Sequence, residues 1–217
     1  MSNESALHKL LKDSISKDSS CQEVKLGNYI ADVKVGNKVY EIQTKDLYRL
    51  KDKIRYYLSC GYDICVIYPL VEHKKYQYKV NGVVKKETRR SHVGKIQDSL
   101  YEIYSIREFI GKIEIKIVSI DLVDSIRVSE GCALTRKNGT CKEKIPQKIN
   151  EIWCLRNTGD FKVMIPQGLE REFTSKNFVA CSKMKKSYAG YALNVLEFTG
   201  IIKRDGHIGR CIKYVIE

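Results

Sequence analysis

The run Ile64-Cys65-Val66-Ile67-Tyr68-Pro69-Leu70 constrains the fold more than any other segment of this 217-residue chain. It is continuously apolar rather than alternating, the pattern of a buried strand that is paired on both sides. The residues before it supply its neighbours. Leu7, Leu10, Leu11 and Ile15 recur at helical spacing after Ser2-Asn3-Glu4, which predicts a first helix of about 13 residues. Residues 24–26 read as a short strand. Residues 29–35 and 38–44 alternate like strands, and Gly36-Asn37 between them can supply the positive φ of a tight hairpin. Leu47, Leu50, Ile54, Tyr57 and Leu58 then mark an amphipathic helix whose other face carries Arg49, Lys51, Lys53 and Arg55. The order helix, three strands, helix, strand predicts an α/β fold with an αβββαβ core.

A second hairpin around Asn81-Gly82, a basic loop over 85–95, a helix over 96–110 and a strand over 112–118 complete a first domain, residues 1–130. Residues 131–146 (GCALTRKNGTCKEKIP) are the most loop-like stretch and are expected to be a linker to a second domain, 147–217. No apolar stretch approaches the roughly 20 residues of a membrane helix. The polar N-terminus carries no signal-peptide core. Eight scattered cysteines without a C-x-x-C pair are expected to be reduced, mostly buried thiols. Together these features predict a cytoplasmic protein without membrane contact.

The formal charge of +13 predicts an attraction to polyanions. Between Lys74 and Lys95 stand eight Lys or Arg and a single acidic residue, Glu87, with Tyr76 and Tyr78 interleaved. Such a stretch suits contact with DNA phosphates, with Arg89, Arg90 and Lys95 as candidates.

A two-residue turn at Gly36-Asn37 sets Asp32 directly opposite Glu41, with Gln43 on the same face, while Ala31, Val33, Tyr40 and Ile42 face the other way. Two facing carboxylates lie roughly 5 Å apart at Cβ and repel. Mg²⁺ (or Mn²⁺) removes that repulsion, because it prefers oxygen ligands from carboxylates, water and a substrate phosphate. Asp32 and Glu41 are therefore the candidate metal ligands.

This pattern resembles the PD-(D/E)XK nuclease superfamily, with its restriction-endonuclease-like core, over residues 4–70. The resemblance implies that Asp32 and Glu41 bind Mg²⁺ and activate a water, with Gln43 standing where the motif usually has lysine. It further implies that Lys45 or a helix lysine supplies the missing positive charge, and that Glu4 matches an accessory helix glutamate, with Glu23 a weaker match. The segment Glu41-Ile-Gln-Thr-Lys45, with Glu4-x-x-Leu7-His8 before it and Arg89-Arg90-Ser91 after it, is also similar to a prokaryotic family that joins this core to a C-terminal helix-turn-helix. The histidines His8, His73, His92 and His207 share no motif and read as structural.

From Glu172 onward the sequence reads as a winged helix-turn-helix. Thr174 or Ser175 caps a short helix to Cys181, Ser182-Lys183-Met184 turns, a second helix runs over 185–198, and Gly200 stops it. Residues 201–204 and 211–216 form the wing. The front of the second helix would face DNA bases, with Lys183, Lys185, Lys186, Ser187, Tyr188 and Tyr191 there and Lys203, Arg204 and Arg210 on the wing. Nine basic and four acidic residues from Arg171 onward leave a net +5. Two functions fit: a Mg²⁺-dependent DNA endonuclease, dimeric where both strands are cut, or a non-catalytic DNA-binding regulator on the same scaffold.

Overall fold

The computed structural model describes residues 5–217. It is a mixed α/β fold with a seven-stranded open sheet and a separate three-stranded sheet near the C-terminus. Helix α1 (Ala6–Ile15) starts where the Ser5 side chain accepts a hydrogen bond from the His8 N–H, and it buries Leu7 and Leu11, one turn apart. Strands β1 (Gln22–Leu26), β2 (Tyr29–Val35) and β3 (Lys38–Ile42) follow as an antiparallel meander. Gly36 takes φ +58, and the pairs Val35–Lys38, Lys34–Val39 and Val33–Tyr40 set the expected register.

A 3₁₀ turn over Leu47–Leu50 leads into α2 (Lys51–Ser59). Strand β4 (Asp63–Val80) then runs parallel to β3 on one side and to β6 (Glu114–Val128) on the other, so the apolar run lies in the middle of the sheet as predicted. Beyond the end of β3, β4 pairs instead with β5 (Val83–Arg89) through the Asn81-Gly82 turn, where both residues have positive φ. The expected basic loop is therefore half strand. The helix expected over 96–110 is one short α turn, α3 (Leu100–Ile103), between 3₁₀ segments Ile96–Ser99 and Tyr104–Phe109.

The linker expected at 131–146 is corrected by the structure. Residues from Gly139 onward form β7 (Gly139–Leu155), which pairs antiparallel with β6 along its whole length as the outer strand of the sheet. Its side chains are mostly solvated, so its lysines read as loop. Gly139 is needed there, because a Cβ would meet Ile126 Cγ2 at 2.3 Å. The cysteine expectation also changes: all eight are free thiols, but Cys65 alone is buried, while Cys60, Cys132, Cys141 and Cys154 are exposed.

After a 3₁₀ segment at Thr158–Met164 come β8 (Glu172–Thr174), α4 (Ser175–Ser182), α5 (Ala189–Phe198), β9 (Ile202–Ile208) and β10 (Cys211–Ile216). Thr174 caps α4, its N–H and hydroxyl both donating to Asn177 Oδ1, and Gly200 closes α5 with φ +74. These C-terminal elements share one hydrophobic core with the large sheet. That core runs from Ala31 and Ile54 through Leu100 and Ile106 to Leu193, Leu196 and Tyr214. Among the described residues no helix is long and apolar enough to cross a membrane.

Candidate active site

Asp32 and Glu41 sit on β2 and β3 at the end of the sheet where β3 finishes, the carboxyl end of a parallel strand, which is where open α/β sheets usually present ligands. Asp32 Oδ2 accepts from the Ile42 N–H at 2.7 Å and lies 3.4 Å from His8 Nε2. Burial works against its charge, but these partners outweigh it and hold its pKa below the usual carboxylate range. Glu41 is only 1% exposed. Burial first, and then the neighbouring Asp32 charge, raise its pKa to about 7.

The charge that faces Glu41 comes from a residue the sequence placed on a solvated helix face. Lys53 of α2 donates to Glu41 Oε2 at 2.9 Å and Oε1 at 3.1 Å, and to the Ile30 carbonyl at 2.8 Å. These three bonds match the three donors of an ammonium. Tyr57, one helical turn further on, donates to Glu41 Oε1 at 3.1 Å. A signal was available: Lys53 is four residues before Tyr57, which belongs to the apolar stripe, so the two must share one side of α2. His8 was likewise read as structural, yet it is the α1 side chain that meets Asp32.

Other expected site residues lie elsewhere. The Gln43 amide donates to the Lys45 carbonyl at 2.6 Å, and Lys45 is exposed, so neither contacts the carboxylate pair. Glu4 lies outside the described residues. Glu23 pairs with Lys12 at 2.9 Å, on the strand beside Asp32, where its neighbours Gln22 and Val24 face Val33 and Ala31.

Among the proposed DNA contacts, Arg89 on β5 and Lys183, Lys185, Lys186, Ser187 and Arg210 are exposed, and Lys95 is half-buried. Lys203 and Arg204 are exposed but paired with Glu217 and Glu197. Tyr188 and Tyr191 are corrected. Tyr188 stacks on Tyr101 with ring centroids 4.0 Å apart, and Tyr191 packs edge-on against Tyr101 and Tyr104 at 5.3 and 4.9 Å. Their rings pack the C-terminal helices against α3, and Tyr191 stays 42% exposed.

Arg90 is corrected as well. The β4–β6 register shifts between Val71 and Lys74, which frees strand carbonyls at Val71 and Glu72. Arg90 Nη2 donates to both, at 2.7 and 3.1 Å, and its Nε donates to the His92 carbonyl at 2.8 Å. Arg90 is a clamp on an irregular strand. Arg90→Ala is expected to destabilise the fold by about 2–3 kcal/mol, seen as a lower urea midpoint. An unchanged midpoint would return Arg90 to the DNA-facing surface.

One group of three metal-capable side chains occurs among the described residues: Glu72, His73 and Asp121. His73 Nδ1 lies 3.0 Å from Asp121 Oδ1, and Asn150 donates to both carboxylates at 2.9 and 2.8 Å. This is a polar tie across β4, β6 and β7, with protein partners already in place.

A family model described as a domain of unknown function (DUF8091) matches residues 5–156. Neither the curated proteins nor the solved structures yielded a match.

Proposed function

The chain belongs to the DUF8091 family, and we propose that it is a metal-dependent deoxyribonuclease with a restriction-endonuclease-like core and a C-terminal winged helix-turn-helix that holds DNA. One observation carries the proposal: two carboxylates from adjacent strands meet at a strand end with a lysine lodged against the buried one. The donor set suits a hard divalent cation, since the raised proton affinity of Glu41 is what a second positive charge would relieve. Asp32 and Glu41 would hold it. Bound there, Mg²⁺ (or Mn²⁺) would offset charge on a phosphodiester and lower the pKa of a water.

The chain's own residues do the rest. Tyr57 fixes the Glu41 carboxylate, and His8 with the Ile42 N–H fixes Asp32. Released from Glu41 by the cation, Lys53 takes the role that the sequence assigned to Lys45 or a helix lysine, donating to a phosphate oxygen as negative charge develops there. The exposed Lys183, Lys185, Lys186 and Arg210 would grip backbone phosphates. Cutting both strands of a duplex would take two such sites, hence a homodimer.

A DNA-binding regulator on the same scaffold is favoured by one observation. Lys53 and Tyr57 already satisfy Glu41, so the cluster can tie β3 to α2 without any metal. Cleavage separates the two. Circular duplex and circular single-stranded DNA, incubated with Mg²⁺ or Mn²⁺, should be cut by the natural chain and left whole in EDTA. Equal cutting by a clean preparation of Asp32→Asn would sink the site.

A further inference from the structure

Two cavities adjoin, sharing Thr44, Pro69 and Val71. The first, about 790 Å³, lies between the start of α1 and the outer strands and is lined by Lys45, Lys74, Lys142 and Lys144. Lys74 is held by Asp124 at 2.7 Å, so the solvated charges are Lys45, Lys142 and Lys144, opposed by Glu143 alone. The second, about 330 Å³, reaches the C-terminal helices and is lined by Tyr68, Tyr101 and Tyr188, with Lys185 beside them and with Asp98 and Glu102 already partnered by His92 and the Leu47 N–H. Neither Asp32 nor Glu41 lines either cavity; the links to the candidate site are Thr44, three residues beyond Glu41, and Leu7 in the first cavity, whose neighbour His8 touches Asp32.

The volumes fall in the range of clefts that take small ligands, enough for roughly one or two nucleotides each. A row of lysines leading to aromatic rings is the composition that a single strand uses, with ammonium groups on phosphates and rings against bases. The order along the groove is lysines, then the shared Thr44, Pro69 and Val71, then tyrosines.

We propose that the two cavities form one track for single-stranded DNA, which passes the Asp32–Glu41 pair with its phosphates on Lys142, Lys144 and Lys45 and a base against Tyr68 and Tyr101. The purpose of the track rests on the nuclease reading, and it names that reading's substrate class. A single strand needs only one active site, so one copy of the chain suffices.

The test is binding without cleavage, on the full-length Asp32→Asn chain in EDTA, followed by fluorescence anisotropy. The probes are a labelled oligothymidylate and a blunt duplex of equal length. The single strand is expected to bind at least about tenfold tighter than the duplex. The paired reversal Lys142→Glu and Lys144→Glu should weaken single-strand binding by about tenfold or more and flatten its salt slope by about 1.4, two contacts at roughly 0.7 each. Lys185→Glu should weaken it independently. All three lysines are exposed, so folding is not at stake, and circular dichroism would verify it. Duplex binding as tight as single-strand binding would overturn the track, as would an unchanged affinity after the paired reversal. Tight single-strand binding by a chain that cuts nothing with metal would overturn the nuclease reading and leave the track standing.

Discussion

Asp32→Asn and Glu41→Gln should each lower metal-dependent cleavage by on the order of 10³-fold, since each removes a charged ligand from the reacting centre. The two differ in stability, which separates a site effect from a folding effect. Glu41 is a buried acid whose pKa is raised from 4.5 to about 7. The folded chain therefore binds this proton more tightly than the unfolded chain. That contribution is complete below pH 4.5 and is lost as pH rises through 7, a total of about 3 kcal/mol. In Glu41→Gln the loss between pH 4.5 and 7 should disappear, read from urea midpoints at pH 5 and pH 8. Asp32 behaves oppositely. Its pKa is lowered, so its contribution is present above its ordinary 3.8 and fades as pH falls below that. A Glu41→Gln profile parallel to that of the natural chain would mean that Glu41 is ionised throughout and that its burial is compensated elsewhere.

Lys53→Ala should reduce cleavage by about 10²-fold, the scale of losing one electrostatic stabiliser. It should also tighten Mg²⁺ binding, because Lys53 is the cation that occupies Glu41 in its absence. The two changes in opposite directions are the diagnostic result, since a purely structural lysine would lower both. Lys51→Ala is the control from the same helix. Lys51 faces Glu108 at 3.6 Å, away from the pair, and its loss should leave cleavage unchanged. Adding Gln43→Lys to Lys53→Ala should recover part of the rate, because Gln43 extends the strand that carries Glu41. Weaker Mg²⁺ binding by Lys53→Ala would show that the lysine only props the carboxylate.

What the sequence revealed follows from how local the cause is. The Asp32–Glu41 juxtaposition was legible because the Gly36-Asn37 turn fixes the register, and period-two alternation does the rest. The central position of 64–70 was legible because only a strand covered on both faces can be apolar throughout. Lys53 was legible only as a neighbour of Tyr57 on one side of α2, because the partner of a helix charge is not known until the sheet beneath it is. Arg90 was misread for a related reason: its partners are backbone carbonyls freed by a register shift in β4, which leave no mark in side-chain pattern. The first half of strand β7 was taken for a linker because an outer strand with lysines on its wet side lacks the hydrophobic period that identifies inner strands. Tyr188 and Tyr191 stand where a DNA-reading helix begins, but three residues apart they also meet Tyr101 and Tyr104, and the sequence offers no way to choose.

The tyrosine packing between α5 and α3 bears on what the molecule could measure. Tyr101, Tyr104, Tyr188 and Tyr191 interlock across the two halves, and the apolar residues behind them are continuous with the main core. A tethered reader swings on its leash, so the point it grips and the point of chemistry vary in separation. Here the separation is built in, so the C-terminal helices would act as a ruler. A strand gripped at Lys185 would be cut at one offset from that grip, and the product lengths would form a narrow band.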